Sequence, residues 1–234
     1  MGDADVHFDA FAQSYDDTLN AGLKISGEDS AFFAARRIEE ARKAVAKHAP
    51  SCGREKAIDF GCGTGNASGS LRQAFGFATV YGLDVSAASL AVAEKRFNDP
   101  GLRFQTIETY TPSKDVDLVF CNGVFHHIDP GTRPASLAFI HAALKPGGVF
   151  VFWENNPWNP GVHYIMKAIP FDRDAKKILP HAAVRLLRRA GFKVLQLRFF
   201  FVFPKPLSFL RFLEPAMSFL PFGAQYQIVA LKER

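Results

Sequence analysis

The chain has 234 residues, the length of one domain with added lid or cap elements. Its composition, 48% hydrophobic and 22% charged, excludes wholesale disorder and allows a core without disulfide or metal cross-links. The net charge of +5 is mild, and its arginines and lysines lie largely on predicted helices, as solvated helix faces do. We therefore expect no nucleic-acid partner.

The cysteines and the first residues indicate the compartment. Cys52, Cys62 and Cys121 are odd in number and widely spaced, which argues against a disulfide framework or a zinc site. The first 17 residues are acidic and polar, unlike a secretory signal. These features predict a cytoplasmic protein.

Strands and helices alternate along most of the chain. Apolar residues at helical spacing predict a helix over 30–48, and later helices after 61–65, after Ser86, around 137–144 and over 180–190. Strands are predicted at 56–60, 78–85, 102–107, 115–122, 149–154, 193–203 and 225–231. This order indicates an α/β fold with a parallel sheet covered on both faces, its last two strands pairing antiparallel at one edge.

No position divides the chain into two cores. We expect an N-terminal lid and helix over 1–49, followed by one domain over 50–234 with cap insertions near 155–180 and 204–224. The stretch 192–222 holds nine of the 24 phenylalanines, but charged residues and prolines interrupt it, so it is not a transmembrane span. A core strand with a cap helix, an apolar pocket wall and a membrane-surface helix all remain open for it.

A glycine-rich loop follows the first predicted strand. The sequence IDFGCGTGNAS, 58–68, places Gly61, Gly63 and Gly65 between a strand and a helix, where glycine allows a sharp turn and close approach to a ligand. The spacing differs from the dinucleotide pattern because Asn66 stands at its third glycine position. Asp84 ends the second strand, where a carboxylate can accept hydrogen bonds from the two hydroxyls of a ribose.

These motifs together resemble one family. The series IDFGCGTG, YGLDVS, DVDLVFCNGVFHHI and LKPGGVFVFWE is similar to the class I S-adenosylmethionine-dependent methyltransferases of small-molecule type. The resemblance covers residues 50–155 motif by motif. It implies a Rossmann-like, doubly wound sheet of seven strands, mostly parallel, with helices on both faces, an antiparallel edge strand and an N-terminal helical lid.

The resemblance also implies the cofactor site. S-Adenosylmethionine would lie over Gly61, Cys62, Gly63 and Gly65, with its ribose at Asp84 and its adenine on Val85. Glu108 or Thr109 falls near the adenine amino group, and Asn122 ends the strand that faces the cofactor. Phe8, Phe11 and Tyr15 match the N-terminal F-x-x-x-A-x-x-Y pattern that covers the site in the family.

Two adjacent histidines follow the fourth strand. His126 or His127 can take a proton from an acceptor, with Tyr15 or Glu154 as further candidates, and both histidines can equally be structural. No cysteine or carboxylate is spaced to complete a metal site with them, so we expect no metal.

The residues after the fifth strand form the candidate acceptor loop. Glu154, Asn155, Asn156 and Trp158 follow that strand at the carboxyl end of the sheet. We expect methyl transfer to an O, N or C atom of a small, partly apolar molecule, with S-adenosylhomocysteine as the second product. Another reaction that consumes S-adenosylmethionine, such as an intramolecular cyclisation, and a non-catalytic binding protein remain alternatives. The sequence leaves the oligomeric state open.

Overall fold

A computed structural model describes residues 8–233 of the chain. Its centre is a seven-stranded sheet in the order β3-β2-β1-β4-β5-β7-β6. The strands are β1 Lys56–Phe60, β2 Thr79–Asp84, β3 Leu102–Thr106, β4 Val116–Asn122, β5 Leu144–Asn155, β6 Phe192–Phe200 and β7 Gln225–Lys232. The pairs among β1 to β5 are parallel, whereas β7 is antiparallel to both of its neighbours. The predicted sheet, including its antiparallel pairing near one edge, is confirmed.

Helices cover both faces of the sheet. They are α1 Tyr15–Leu23, α2 Ser30–His48, α3 Asn66–Phe75, α4 Ala87–Arg96, α5 Arg133–Ala143, α6 Pro160–Ala168, α7 Pro180–Arg189 and the short α8 Glu214–Met217. Asp29 caps α2 and Ser86 caps α4, each through a side-chain oxygen that accepts a backbone N–H. One apolar cluster lies between the sheet and α5 and α7, and a second lies between the sheet and α2 and α3.

Two predicted strand boundaries are wrong by several residues. Strand β5 begins at Leu144 rather than at position 149, directly after α5 ends at Ala143, because the proline at position 146 removes a backbone donor and disfavours helix at the residue before it. Strand β6 ends at Phe200 rather than at position 203, because Phe201 has a left-handed φ of 64° that turns the chain out of the sheet.

The phenylalanine-rich stretch divides between core and surface. Phe192 and Phe199 are buried in the core, whereas Phe209 and Phe212 in the 3₁₀ segment Lys205–Leu213 are exposed. No helix among residues 8–233 is long and apolar enough to span a membrane. Residues 1–7, to which part of the lid prediction and the signal-peptide prediction apply, lie outside the described residues.

Candidate functional site

The glycine-rich loop turns at the carboxyl end of β1. Gly61 and Gly63 have left-handed φ values of 73° and 53°. A Cβ atom on Gly61 would lie 2.3 Å from a methyl carbon of Val124, so the β1 and β4 loops pack here with no room for a side chain. A Cβ on Gly63 would meet nothing within 4 Å and would project into open space. The backbone at Gly63 is therefore accessible to a ligand.

Asp84 holds this loop from the neighbouring strand. Its Oδ2 atom accepts a hydrogen bond of 2.7 Å from the backbone N–H of Gly63, and its Oδ1 atom accepts one of 2.9 Å from that of Ser86. Backbone donors stabilise a carboxylate in one orientation. The carboxylate thus has a fixed position at the end of β2, beside the glycine loop.

A cavity of about 590 Å³ opens above these residues. Eight of the residues singled out in the sequence line it: Phe8, Tyr15, Gly61, Gly63, Asp84, Val85, Asn122 and His127. Val85 is 45% exposed, and the buried Oδ1 atom of Asn122 has no hydrogen-bond partner among residues 8–233. An apolar cavity with a fixed carboxylate, an accessible glycine backbone and an unpartnered amide oxygen fits a nucleoside cofactor with an amino-acid tail.

Four of the residues predicted to bind the cofactor do not line the cavity. Cys62 is buried, and Gly65 packs against the rings of Phe97 and Phe104. Glu108 and Thr109 are exposed just beyond β3, where Ile107 lines the cavity instead. The assignment of Glu108 or Thr109 to the adenine stays a prediction.

A second cavity, of about 130 Å³, adjoins the first. Tyr15, Asn122, Gly123 and His127 line both, so the two cavities share a boundary at the carboxyl end of β4. The rest of its wall is largely apolar and comes from helices α1, α2 and α6 and from the segments around Phe171 and Phe201. Two charged residues in this wall, Arg37 and Asp172, were not among the sequence-based candidates.

His126 lies between two carboxylates. Its Nδ1 atom is 2.6 Å from Oε2 of Glu154, and its Nε2 atom is 3.6 Å from Oδ1 of Asp172. Burial acts to lower the pKa of His126, but Glu154 and Asp172 outweigh it and raise that pKa to about 10. His126 is therefore protonated at neutral pH and is not free to act as a base.

His127 has a different environment. Its Nε2 atom is 3.2 Å from Oδ1 of Asp172, and its ring packs edge-on against Phe8 at 4.9 Å between centroids. Burial lowers the pKa of His127, and Asp172 only partly opposes this effect. A neutral His127 therefore faces both cavities, with its proton on the nitrogen nearest to Asp172.

Tyr15 and the N-terminal phenylalanines cover the site. The ring of Tyr15 stacks on Phe171 at 4.9 Å between centroids, and Phe8 and Phe11 contact the same ring. Burial, followed by the charges of Asp172 and Asp84, raises the pKa of Tyr15, so its phenol stays protonated. Tyr15 can donate a hydrogen bond to a ligand but is a poor base.

The residues of the 154–158 loop have four separate environments. Glu154 is 1% exposed and is directed at His126, while Asn156 is fully buried and donates to the carbonyl oxygens of Pro221 and Gly223. Trp158 is half exposed beside His181. Of these four residues, only Asn155 lines the smaller cavity. The predicted contacts of Glu154, Asn156 and Trp158 with an acceptor stay predictions, because none of the three faces this cavity.

The paired histidines and Asp172 are of the kinds that bind metal ions. One ligand atom from each of His126, His127 and Asp172 lies within 4.8 Å of the others. This group could not be recognised in the sequence, because Asp172 lies 45 positions after His127 and is brought in by the turn after α6. The expected absence of a metal stays a prediction.

The comparisons with known proteins agree with this geometry. Residues 58–150 match the methyltransferase domain family. The trans-aconitate 2-methyltransferase of Deinococcus radiodurans is 40% identical over 92 residues, which is 39% of this chain and 34% of that protein. Its counterpart in Rhodopseudomonas palustris is 27% identical over 158 residues, 68% of this chain and 60% of that protein. The chain therefore spans less than two thirds of the length of these relatives.

Solved structures share the whole architecture at low sequence identity. A S-adenosylmethionine-dependent methyltransferase from Archaeoglobus fulgidus superposes with a TM-score of 0.61 at 21% identity, over 83% of this chain and 94% of that one. The matched range 58–150 includes the glycine loop after β1 and the acid at the end of β2. Residues 58–150 therefore form a methyltransferase domain, and the chain has the fold of S-adenosylmethionine-dependent methyltransferases.

Proposed function

We propose that the protein transfers the methyl group of S-adenosylmethionine to an O, N or C atom of a small, partly apolar molecule. The observation that carries this proposal is the shared boundary of the two cavities at Tyr15, Asn122, Gly123 and His127. A cofactor in the larger cavity and an acceptor in the smaller one would meet there. Holding two reactants in contact supplies much of the rate enhancement of a transfer reaction.

The larger cavity offers a partner for each part of the cofactor. Asp84 would accept hydrogen bonds from the ribose hydroxyls, Val85 would pack on the adenine, and the amide oxygen of Asn122 would accept from the amino-acid part. The glycine loop would lie beneath that part. When bound, S-adenosylmethionine supplies a methyl group that its positively charged sulfur already activates, so the acceptor atom displaces a neutral thioether.

The protein contributes orientation and the exclusion of water. Tyr15 and Phe171 line the smaller cavity, and the rings of Phe8 and Phe11 pack against Phe171. An acceptor with an O–H or N–H group would need to lose its proton, and His127 is the neutral ring at the boundary that can take it. The enclosed volume suits a compact molecule better than a flipped nucleobase attached to its strand.

The names of the relatives are consistent with a small acceptor. Trans-aconitate, named in the relatives from Deinococcus radiodurans and Rhodopseudomonas palustris, is a small organic acid. The three cysteines are unpaired and buried, which favours the reducing cytoplasm for this activity.

The test uses the full chain with S-adenosylmethionine and a panel of small phenols, amines, alcohols and organic acids. We expect S-adenosylhomocysteine and a product heavier by one methylene unit only when a suitable acceptor is present. Consumption of the cofactor without any acceptor would instead favour another S-adenosylmethionine-consuming reaction. Failure to bind the cofactor in calorimetry would overturn the proposal altogether.

A further inference from the structure

Arg37 brings a positive charge to the wall of the smaller cavity. It lies on α2, and its Nε atom donates a hydrogen bond of 2.8 Å to Oε1 of Gln225. Nε2 of Gln225 in turn donates to Oδ1 of Asn155 at 3.0 Å, which fixes which end of the amide faces the arginine. The guanidinium also lies 5.8 Å from the centroid of the Phe33 ring. Two neighbours, Gln225 and Phe33, therefore hold Arg37 at the cavity.

The charge of Arg37 is not balanced within the described part of the chain. No carboxylate of residues 8–233 lies within 4.0 Å of it, and its two Nη atoms make no hydrogen bond there. The preceding residue, Arg36, lies 3.9 Å from Glu40 and 3.8 Å from Glu214 on the outer side of the helix. Arg37 is half-buried and lacks such a carboxylate, so its charge is available to an external anion.

The guanidinium stays charged despite its surroundings. Burial lowers the pKa of Arg37 to about 10, an effect that Tyr15 only partly opposes. At neutral pH the cavity wall thus carries a full positive charge that no carboxylate neutralises. An anionic group that entered the cavity would gain charge-assisted hydrogen bonds from the Nη atoms.

We propose that Arg37 binds a carboxylate of the acceptor, so that the substrates of this enzyme are compact organic acids. This inference rests on the proposed function and specifies its acceptor. Gln225 occupies Nε, which leaves the two Nη groups to bind the two oxygens of a carboxylate side by side. The apolar side chains of the wall, among them Leu19, Ile165 and Met166, would contact the carbon skeleton.

A carboxylate fits this cavity better than a phosphate. Asp172, whose carboxylate lines the same cavity, would repel a dianion more strongly than a monoanion. Arg37 is the only arginine or lysine lining this cavity among the described residues. The protonated ring of His126 also lines it but is already paired with Glu154 and Asp172, so a second negative charge would find no free cation there. The small volume of about 130 Å³ also favours a planar group.

Three probes of similar size separate charge from shape. Phenylacetate, phenylacetamide and phenyl phosphate are titrated by calorimetry into the full chain saturated with S-adenosylhomocysteine, with hexanoate and hexanamide as an aliphatic pair. We expect at least one acid to bind about ten times more tightly than its amide and more tightly than the phosphate. In Arg37→Gln the affinity for that acid should fall about 10- to 100-fold, while that for the amide stays within about twofold.

Two further variants separate recognition from folding. Arg37→Lys keeps the charge without the paired Nη groups and should retain an intermediate affinity for the acid. Arg36→Gln removes a charge from the same helix outside the cavity and should bind the acid as the wild type does. The affinity of every variant for S-adenosylhomocysteine should stay unchanged, which shows that the site is folded.

The outcomes are distinguishable. Equal affinity of wild type and Arg37→Gln for the acids, equal affinity for acid and amide, preference for the phosphate, or no saturable binding of any acid would each overturn the role of Arg37. Binding of S-adenosylhomocysteine with any of these results would leave the proposed methyl transfer standing. Loss of S-adenosylhomocysteine binding in the wild type would remove both proposals.

Discussion

Nδ1 of His126 lies 2.6 Å from Oε2 of Glu154, and the two side chains are 4% and 1% exposed. The backbone N–H of His126 also donates to Oε1 of the same carboxylate at 3.2 Å. Glu154 thereby holds both the ring and the main chain of the loop after β4. The pair acts on the site by fixing this loop, on which His127 is the next residue.

The first prediction concerns the stability that this pair contributes. Glu154→Gln should lower the free energy of unfolding by about 3 kcal/mol at pH 6, because it leaves a buried imidazolium without its main counter-charge. The pKa of His126 is about 10 in the folded protein, against about 6.5 in an unfolded chain. Protonation of His126 therefore stabilises the folded protein fully below about pH 6.5. This stabilisation is lost as the pH rises toward 10.

Denaturant unfolding of wild type and Glu154→Gln at intervals from pH 6 to 10 measures this difference. The gap between the two proteins should shrink as the pH rises. Glu108→Gln, which changes an exposed glutamate beyond β3, is the control and should show no such dependence. A gap that stays constant over the whole range would mean that His126 is neutral in the folded protein.

Local patterns predicted the fold and half of the site. The glycine loop and Asp84 are recognisable because they come from consecutive elements, and a strand, a turn and a helix bring Gly63 and Asp84 to hydrogen-bond distance. The wall of the smaller cavity comes from parts of the chain far apart in sequence. Nothing about Arg37 within its helix distinguishes it from Arg36, and only the approach of Gln225 from β7 shows which of the two faces inward.

The roles of the residues after β5 were also hard to predict, because they depend on segments far away in the sequence. Side chains alternate along a strand, so Glu154 and Asn155 were certain to face opposite sides of the sheet, yet the sequence did not show which side holds the acceptor. Asn156 looked like a ligand-binding residue because it is polar and lies at the right sheet edge. In the structure its amide instead satisfies two backbone carbonyl oxygens of the segment before β7.

The second prediction tests the open space above the glycine loop. Gly63→Ala should weaken the binding of S-adenosylhomocysteine at least about tenfold, because the added methyl group projects into the larger cavity. Gly76→Ala is a matched control: its φ of 72° is also left-handed and its Cβ also meets nothing within 4 Å, but it ends α3 away from both cavities.

Both substitutions should lower the free energy of unfolding by roughly 1 kcal/mol through backbone strain, so unfolding measurements do not distinguish the two variants. Calorimetric titration with S-adenosylhomocysteine does distinguish them. Equal weakening in the two variants would show that strain, not the position of the methyl group, determines binding.

The third prediction concerns Asp84. Asp84→Ala should weaken S-adenosylmethionine binding by about 1.5–3 kcal/mol, the range for hydrogen bonds to a charged group. Part of this loss would come from the loop, because Asp84 also accepts from the N–H of Gly63. Asp84→Asn keeps an acceptor oxygen and should lose less. Calorimetric affinities equal to that of the wild type in both variants would remove Asp84 from the cofactor site.

The fourth prediction is that duplex DNA and RNA bind only weakly. Glu39 and Glu40 lie within reach of Arg42 and Lys43 on α2, so the basic residues there do not form an uninterrupted patch. A fluorescence titration at about 150 mM salt should give affinities no tighter than micromolar. A submicromolar value would contradict the assignment of a small acceptor.

The last prediction separates the adjacent histidines. His127 lines both cavities and is held neutral, whereas His126 is protonated between Glu154 and Asp172. For an acceptor that must lose a proton, His127→Ala should lower turnover about 10²- to 10⁴-fold with cofactor affinity near that of the wild type. His127→Asn keeps a polar group without a base and should be nearly as slow.

His126→Ala should act differently, through the position of the loop. It leaves Glu154 and Asp172 buried without their shared cation, so it should lower thermal stability together with turnover. In a profile of kcat against pH, the kcat of the wild type should rise as His127 loses its proton. The kcat of His127→Asn should not show this rise. Full turnover in His127→Ala with such an acceptor would leave methyl transfer to rest on the orientation of the two reactants alone.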